Sequence, residues 1–190
     1  MVKLGFIVEG ETEKIMLERS DFFQYLQKQG IQYVSKVIDA AGNGNLLPQN
    51  IGPLTKTLQD EGATHIFILT DLDDDECITR TKNRISPAEN HTVIVSVKAI
   101  ESWFLADGTA MNAFLKSDDF ALDTPETIDN PYEEIRMIRI NRNNRGVGGK
   151  VILANQIMKC GFSIQRAAQH PNCASARYFL QKIEAIAANN

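Results

Sequence analysis

Cysteine, histidine and tryptophan are scarce in this 190-residue sequence, with three, three and one respectively, and each scarcity closes off a class of protein. Cys77, Cys160 and Cys173 are odd in number and far apart, so no disulfide framework is implied. His170 and Cys173 form an H-x-x-C pair, but no second pair completes the four clustered ligands of a closed zinc site. His65 lies in an apolar stretch and reads as a strand residue. No apolar run approaches the length of a membrane span. The opening Met1–Val8 reads straight into a strand that Glu9 cuts short, without the longer apolar stretch or cleavage site of a signal peptide. A cytoplasmic address with no membrane partner is therefore expected. No internal repeat or low-complexity tract is present.

What remains is an ordinary globular composition, 43% hydrophobic and 23% charged, in a chain long enough to bury a substantial core. The net charge of −4 argues against a polyanionic partner until its distribution is considered. Glu9, Glu11, Glu13, Asp71, Asp73, Asp74, Asp75 and Glu76 supply eight of the 24 acids from two short segments, leaving 16 acids to face 20 Lys and Arg. Carboxylates concentrated in one place on an otherwise mildly basic chain suit a metal together with a polyanion.

Strand and helix signals alternate over the first half. Leu4–Val8 is a short buried-type strand, and Thr12 to Gln29 reads as a helix with Thr12 as N-cap and Gly30 at its C′ position. Ile31–Ile38 alternates as a second strand. Leu46 to Glu61 is a second helix with a break near Gly52-Pro53. His65–Thr70, apolar on both faces, is the strongest strand and runs into Asp71. Thr92–Val97 is a fourth strand, followed by a short helix over Ile100–Ala106. This alternation predicts a parallel α/β sheet with right-handed crossovers. Beyond Asp107 strand signals fade, and Val151–Lys159, Ser163–Gln169 and Ala174–Ala187 read as helices. The expected organisation is an α/β domain over 1–107 with a helical extension, 108–190, packed on it.

Sites in open α/β sheets form beyond the carboxyl ends of the strands. Glu9 and Asp71 both fall there, with Asp73 two residues on. In an extended exit loop alternate residues point the same way, so Asp71 and Asp73 can aim at one ion. Oxygen-only ligands favour Mg²⁺ or Mn²⁺ over zinc. Caps and solvated turns account for Glu11 and Glu13, which complement a helix dipole, and equally for Asp74, Asp75 and Glu76. They account poorly for Glu9 and Asp71, which would repel each other at adjacent strand ends unless neutralised. Gly10 is expected to let the chain bend after Glu9. Glu101, just past the fourth strand, is either a further metal ligand completing a second position or a helix N-terminal charge, with Trp103 and Phe104 packing into the core. Asp107 reads as a helix-end turn residue.

The segments Val8-Glu9-Gly10-Glu11-Thr12-Glu13 and Ile68-Leu69-Thr70-Asp71-Leu72-Asp73 resemble the two-motif signature of Toprim domains, shared by topoisomerases, DnaG-type primases, recombination-repair proteins and overcoming-lysogenization-defect (OLD) nucleases. The likeness is closest to small standalone bacterial Toprim-like proteins, in which a stretch similar to Glu101-Ser102-Trp103-Phe104-Leu105-Ala106-Asp107 follows the next strand. It covers about the first 107 residues. It implies a Rossmann-like Toprim fold with a parallel four-strand sheet flanked by helices, Glu9 as general acid/base or metal ligand, and Asp71 and Asp73 as holders of Mg²⁺. A topoisomerase tyrosine region and a primase zinc module are both missing.

Arg136, Arg139, Arg142 and Arg145 recur every third residue, interleaved with Asn141, Asn143 and Asn144 and followed by Lys150. On a helix they either grip nucleic-acid phosphates or form a solvated face partnering Glu133 and Glu134. Gly146-Val147-Gly148-Gly149-Lys150 is not a P-loop, because Asn144 stands where the first glycine belongs and Val151 where Ser or Thr does. In nuclease-like Toprim proteins a basic side chain helps stabilise charge on the phosphate, and Lys150 or one of these arginines fits that role. The leading expectation is a Mg²⁺-dependent nuclease acting on DNA or RNA, in phage defence by analogy with OLD nucleases. The alternatives are a non-catalytic metal- or nucleotide-binding regulatory module and a subunit active only with a partner ATPase. Oligomeric state is open, a homodimer among the alternatives.

Overall fold

The computed structural model describes residues 2–85, 87–143 and 145–188, the side chain of Asn143 excepted. Met1 of the opening strand reading and Asn144 of the arginine-rich and P-loop readings lie outside the described residues. Four strands, β1 (Lys3–Val8), β2 (Gln32–Asp39), β3 (His65–Asp71) and β4 (His91–Ser96), form one sheet in the order β2-β1-β3-β4, parallel throughout. This is the α/β architecture the alternating signals predict.

Alternate side chains of each strand leave on opposite faces and meet two different apolar layers. Leu4, Phe6 and Val8 of β1, with Phe67 and Leu69 of β3, face helices α1 (Glu11–Arg19) and α2 (Phe22–Lys28). Ile7, Ile66, Ile68 and Val93 face the other side, where Leu58 of α3 (Gly52–Asp60) and Ile85 of α4 (Ile78–Ile85) cover them. Gly5 points to this second face, and a Cβ there would stand 3.0 Å from both Ala63 Cβ and Leu58 Cδ1, so α3 packs directly on the backbone.

After β4 the chain is helical: α5 (Glu101–Ala106), α6 (Gly108–Leu115), α7 (Pro131–Asn143), α8 (Lys150–Lys159), α9 (Ile164–Gln169) and α10 (Ala174–Ala188). One apolar core runs across position 107. Phe179 of α10 stacks on Trp103 of α5 with centroids 5.7 Å apart and on Phe22 of α2 at 5.4 Å, and meets Phe67 edge-on at 5.9 Å. Trp103 is wholly buried, and its indole N–H donates to Ser175 Oγ at 2.7 Å. Asp107 closes α5 and caps α6, accepting from the Ala110 N–H. It also forms a bidentate pair with Arg166 of α9, at 2.9 and 2.8 Å. The turn reading of Asp107 therefore understates it: the residue ties three helices together.

Three local expectations are corrected. The first helix is two, because Ser20 adopts an extended conformation and its hydroxyl accepts the Phe22 N–H at 3.3 Å, starting a new helix. Thr12 lies inside α1 and is buried, and Gly10 holds the N-cap position. The segment before Gly52-Pro53 is a short 3-10 turn, Asn43–Leu46, with regular helix only from Gly52. Gly30 ends α2 at φ +70°, the left-handed conformation a helix terminus asks of glycine. No helix among the described residues is long and apolar enough to cross a membrane.

Candidate functional site

The strand order places a topological switch point between β1 and β3, whose outward crossovers leave in opposite directions and open a crevice at the carboxyl edge. Val8 is level with Leu69 on one side and Asp39 on the other, and Asp71 is level with Ser96. The register therefore brings Glu9, Asp39 and Asp71 to one edge. Asp71 is the last residue of β3 and not the first beyond it.

Hydroxyls of the neighbouring strands hold these carboxylates. Glu9 Oε2 accepts from Thr70 Oγ1 at 2.5 Å and from the Asp71 N–H at 3.2 Å. Asp71 Oδ1 accepts from Ser96 Oγ at 2.5 Å, and the same hydroxyl lies 3.2 Å from the Thr70 carbonyl. Asp71 is buried, and that burial, with Glu13, Glu101 and Glu9 close by, raises its carboxyl well above the ordinary range, although the Ser96 hydrogen bond opposes the shift. Asp73 is exposed and left-handed, at φ +47°, so the segment after Asp71 is a tight turn and not the extended loop expected. Asp71 and Asp73 nonetheless line the same crevice, of about 270 Å³, together with Glu9, Glu13, Glu101 and Lys150.

Glu13 belongs to this cluster and not to a solvated helix face. It lies in the first turn of α1, which starts just beyond the β1 end, lines the crevice and is 5% exposed. Burial pushes its carboxyl up to about 8. The charges of Glu9 and Glu101 add to this, against its backbone hydrogen bond and Lys150. Gly10 has ordinary extended backbone angles, so no unusual bend explains the glycine. A Cβ there would come within 3.5 Å of Glu13 Oε2.

Glu101 is the most telling member. It is 0% exposed, and neither carboxylate oxygen has a hydrogen-bond partner. Lys150 Nζ stands 3.7 Å from Oε1, close enough for an ion pair but too far for a hydrogen bond. Burial raises the Glu101 carboxyl, and the Lys150 charge pulls against it. For Lys150 itself, burial disfavours the charge. Glu101, Asp71, Glu13 and Asp73 outweigh that and raise its pKa, so it remains a cation at neutral pH. Glu101 is the first residue of α5, with Trp103 and Phe104 buried in the core, so it holds a helix-terminal position and lines the crevice at once.

A larger cleft of about 650 Å³ adjoins the crevice and shares Asp73, Glu101 and Lys150 with it. Arg139, Arg142 and Arg145 line neither. Arg136 pairs with Glu133 at 2.9 Å, Arg139 donates to Gln156 Oε1 at 2.7 Å with its guanidinium 4.1 Å over the Phe114 ring, and Arg142 pairs with Asp119. Arg145 is exposed, beyond the end of α7. Steps of three residues turn a helix short of full circle by about 60° each, so Arg136, Arg139 and Arg142, the three on α7, fan round about a third of the circumference instead of forming one row. The glycine run before Lys150 serves packing: a Cβ on Gly148 would stand 2.6 Å from Ile152 Cδ1, and Gly149 is the N-cap of α8.

The donor set is oxygen-only and suits a hard divalent cation, and the fully buried Glu101 carboxylate, without a hydrogen bond, has only the Lys150 ammonium at 3.7 Å to balance its charge. As the side chains stand, no group of three or more His, Cys, Asp or Glu among the described residues is gathered as a formed metal-holding set. Glu9 and Asp71 have turned to the hydroxyls of Thr70 and Ser96 instead. His170, whose Nε2 meets the Leu122 carbonyl at 2.9 Å, and the buried Cys173 form no such set either.

The family model described as "Domain of unknown function (DUF4276)" matches residues 8–184 of the chain. Neither a curated protein nor a solved structure matches it.

Proposed function

We propose that this chain, which belongs to the DUF4276 family, is a divalent-metal-dependent phosphodiester hydrolase, a nuclease acting at the carboxylate crevice. The observation that carries the reading is Glu101, wholly buried beside Asp71 and Glu13, with no hydrogen bond to either oxygen and the Lys150 ammonium 3.7 Å from Oε1 as its ion-pair partner. Anions so placed repel one another and gain most from a cation among them. Glu9, Asp71 and Asp73, with Glu101, are the residues that would hold Mg²⁺ or Mn²⁺. The ion when bound supplies electrophilic activation of a phosphate oxygen and of water. Glu9, aligned by Thr70 Oγ1 and the Asp71 N–H, is the group to take or give a proton at the attacked phosphate. Lys150 stabilises negative charge on the non-bridging oxygens. The likeness of the two acidic segments to Toprim domains supports the same chemistry, and the OLD-nuclease analogy supports a setting in phage defence.

One observation favours a second reading. Glu9 and Asp71 are engaged by hydroxyls, and no three ligands stand gathered among the described residues. That arrangement suits a metal- or nucleotide-binding module, or a subunit that becomes active only when a partner such as an ATPase rearranges the crevice. The test compares wild type with Glu9→Gln and Asp71→Asn on single-stranded, double-stranded and supercoiled DNA and on RNA, with Mg²⁺, Mn²⁺ or EDTA. Metal-dependent cleavage by wild type, lost in both variants, is expected. Equal cleavage by all three overturns catalysis at this site. No cleavage, with Mg²⁺ binding that survives both substitutions, overturns the metal site as well.

A further inference from the structure

The cleft next to the crevice carries cations that the arginine-rich helix does not. Lys98, two residues beyond β4, has a left-handed backbone, φ +64°, as does Asp73, two residues beyond β3. The two turns are joined, since the Asp73 N–H donates to the Lys98 carbonyl at 3.0 Å. Left-handed conformations cost a non-glycine residue about 1 kcal/mol or more, and such costs cluster where a side chain must be aimed. Here two adjoining strand exits bear the cost together, one presenting an anion and the other a cation to the same cleft.

Lys98 Nζ meets Asp129 Oδ1 at 2.6 Å, so the plain reading makes it a surface ion-pair partner. The Asp129 side chain is 93% exposed, however, and a pair so open to solvent is screened and holds its partners weakly. A phosphate can take Asp129's place at little cost. Lys150, half-exposed and 3.7 Å from Glu101 Oε1, lines this cleft as well as the crevice. Tyr132 and Pro131 add apolar and aromatic surface to the wall.

From these contacts we infer that the cleft is a binding groove for single-stranded nucleic acid, in which Lys150 and Lys98 take backbone phosphates on the path into the carboxylate crevice. The inference rests on the hydrolase reading and adds its substrate class. Two features favour a single strand. A volume of about 650 Å³ is that of a pocket enclosing one drug-sized ligand, the scale of a nucleotide or two and not of a duplex. Glu101 and Asp71, which define the reacting floor, are 0% and 6% exposed, so a strand must enter and not merely lie across the edge. Aromatic surface beside a cationic path is the arrangement that holds single strands without regard to sequence. The cleft also carries acids. Asp73, Asp74, Asp75, Glu101 and Asp129 line it against Arg84, Lys98 and Lys150, which pair with Asp75, Asp129 and Glu101, so the lining carries an excess of acid and phosphate binding is expected to need a divalent ion beside Asp73.

The experiment measures binding of a labelled single-stranded DNA oligonucleotide, its RNA counterpart and the matching duplex to the full chain. Ca²⁺ replaces Mg²⁺ to slow turnover, and an EDTA arm is included. Lys98→Gly suits the left-handed backbone and keeps the fold, and Lys98→Gln keeps the side-chain stem. Both are expected to weaken single-strand binding about tenfold and to lower the salt dependence by the equivalent of one phosphate contact, a slope change of about 0.7. Asp129→Asn, by releasing Lys98, is expected to tighten binding several-fold. Equal binding by wild type and both Lys98 variants overturns the groove, as does a duplex held as tightly as the single strand. If wild type still cleaves in that case, with KM unchanged in Lys98→Gly, hydrolysis at the crevice stands and only the groove falls. If wild type neither binds nor cleaves any of the nucleic acids with Ca²⁺, Mg²⁺ or Mn²⁺, both readings fall.

Discussion

Replacing Glu13 with Gln should stabilise the chain at high pH and leave it nearly unchanged at low pH. Glu13 is 5% exposed, and burial raises its carboxyl from 4.5 to about 8, helped by the charges of Glu9 and Glu101. A carboxyl with a raised folded-state pKa binds its proton more tightly in the native chain than in the unfolded one. Its contribution is therefore fully present below 4.5 and is lost as pH rises through about 8. With 1.36 kcal/mol for each pH unit, the whole span amounts to at most about 5 kcal/mol. Asp71 shares the same field, so the part that Glu13→Gln removes is roughly 1–3 kcal/mol. Urea unfolding of wild type and Glu13→Gln at several pH values from about 5 to about 8.5 reads the difference directly. The gap between the two should open towards high pH in favour of Gln. Millimolar Mg²⁺ should narrow it, because a cation among the carboxylates supplies what the proton did. A gap that stays constant with pH, or a variant less stable at every pH, would refute the placement of Glu13 in the cluster.

Saturating Mg²⁺ is expected to raise the melting temperature of the wild type, as binding to the native state alone does, and Asp71→Asn is expected to abolish that rise; thermal shift with an EDTA control reads both. Arg166→Met leaves Asp107 buried with only the Ala110 and Ser163 backbone N–H groups as partners, and is expected to cost about 3–5 kcal/mol in urea unfolding. Phe179→Ala removes the ring that joins Phe22, Phe67 and Trp103 and should cost about 3–5 kcal/mol. Gly5→Val drives side-chain atoms into Leu58 and Ala63, where even a Cβ stands at 3.0 Å, and should cost at least about 1–3 kcal/mol.

The sheet was legible because its signals are local. Apolar runs of five or six residues, each ending in a carboxylate, mark β1 and β3, and the parallel arrangement follows from the helices between them. The same strand-end rule picks out Asp39, the last residue of β2, whose Oδ1 accepts the Ala41 N–H at 2.7 Å on the rim of the crevice and which the sequence analysis left out. Glu13 could have been found from its nearness in sequence to the β1 end, but its pattern is also that of an ordinary first-turn acid, and only burial separates the two. The left-handed turns at Asp73 and Lys98 left no local mark, since neither residue is glycine or asparagine and each turn is held by a hydrogen bond to the other. The three-residue repeat of arginines looks like a row in sequence and is a spiral on a helix, so the pattern alone does not show which side chains each one meets. Their partners, Gln156, Phe114 and Asp119, come from parts of the chain that no local pattern connects to them.

The way Phe179 closes the aromatic core has a consequence for the order in which the molecule forms. The sheet holding Glu9 and Asp71 is laid down early in the sequence, yet the face beneath those carboxylates is sealed only when α10 returns to it, and Tyr25 donates to Glu184 Oε1 at 2.6 Å across a separation of 159 residues. Contacts so far apart in sequence must meet the entropy of closing a long loop before they reward it, and such topologies fold slowly. Until that closure the apolar face of β1 and β3 has no complete cover, and the chain is at its most prone to associate with its own kind. A nascent chain of this protein is thus expected to acquire its acidic crevice late, as one of the last things folding completes.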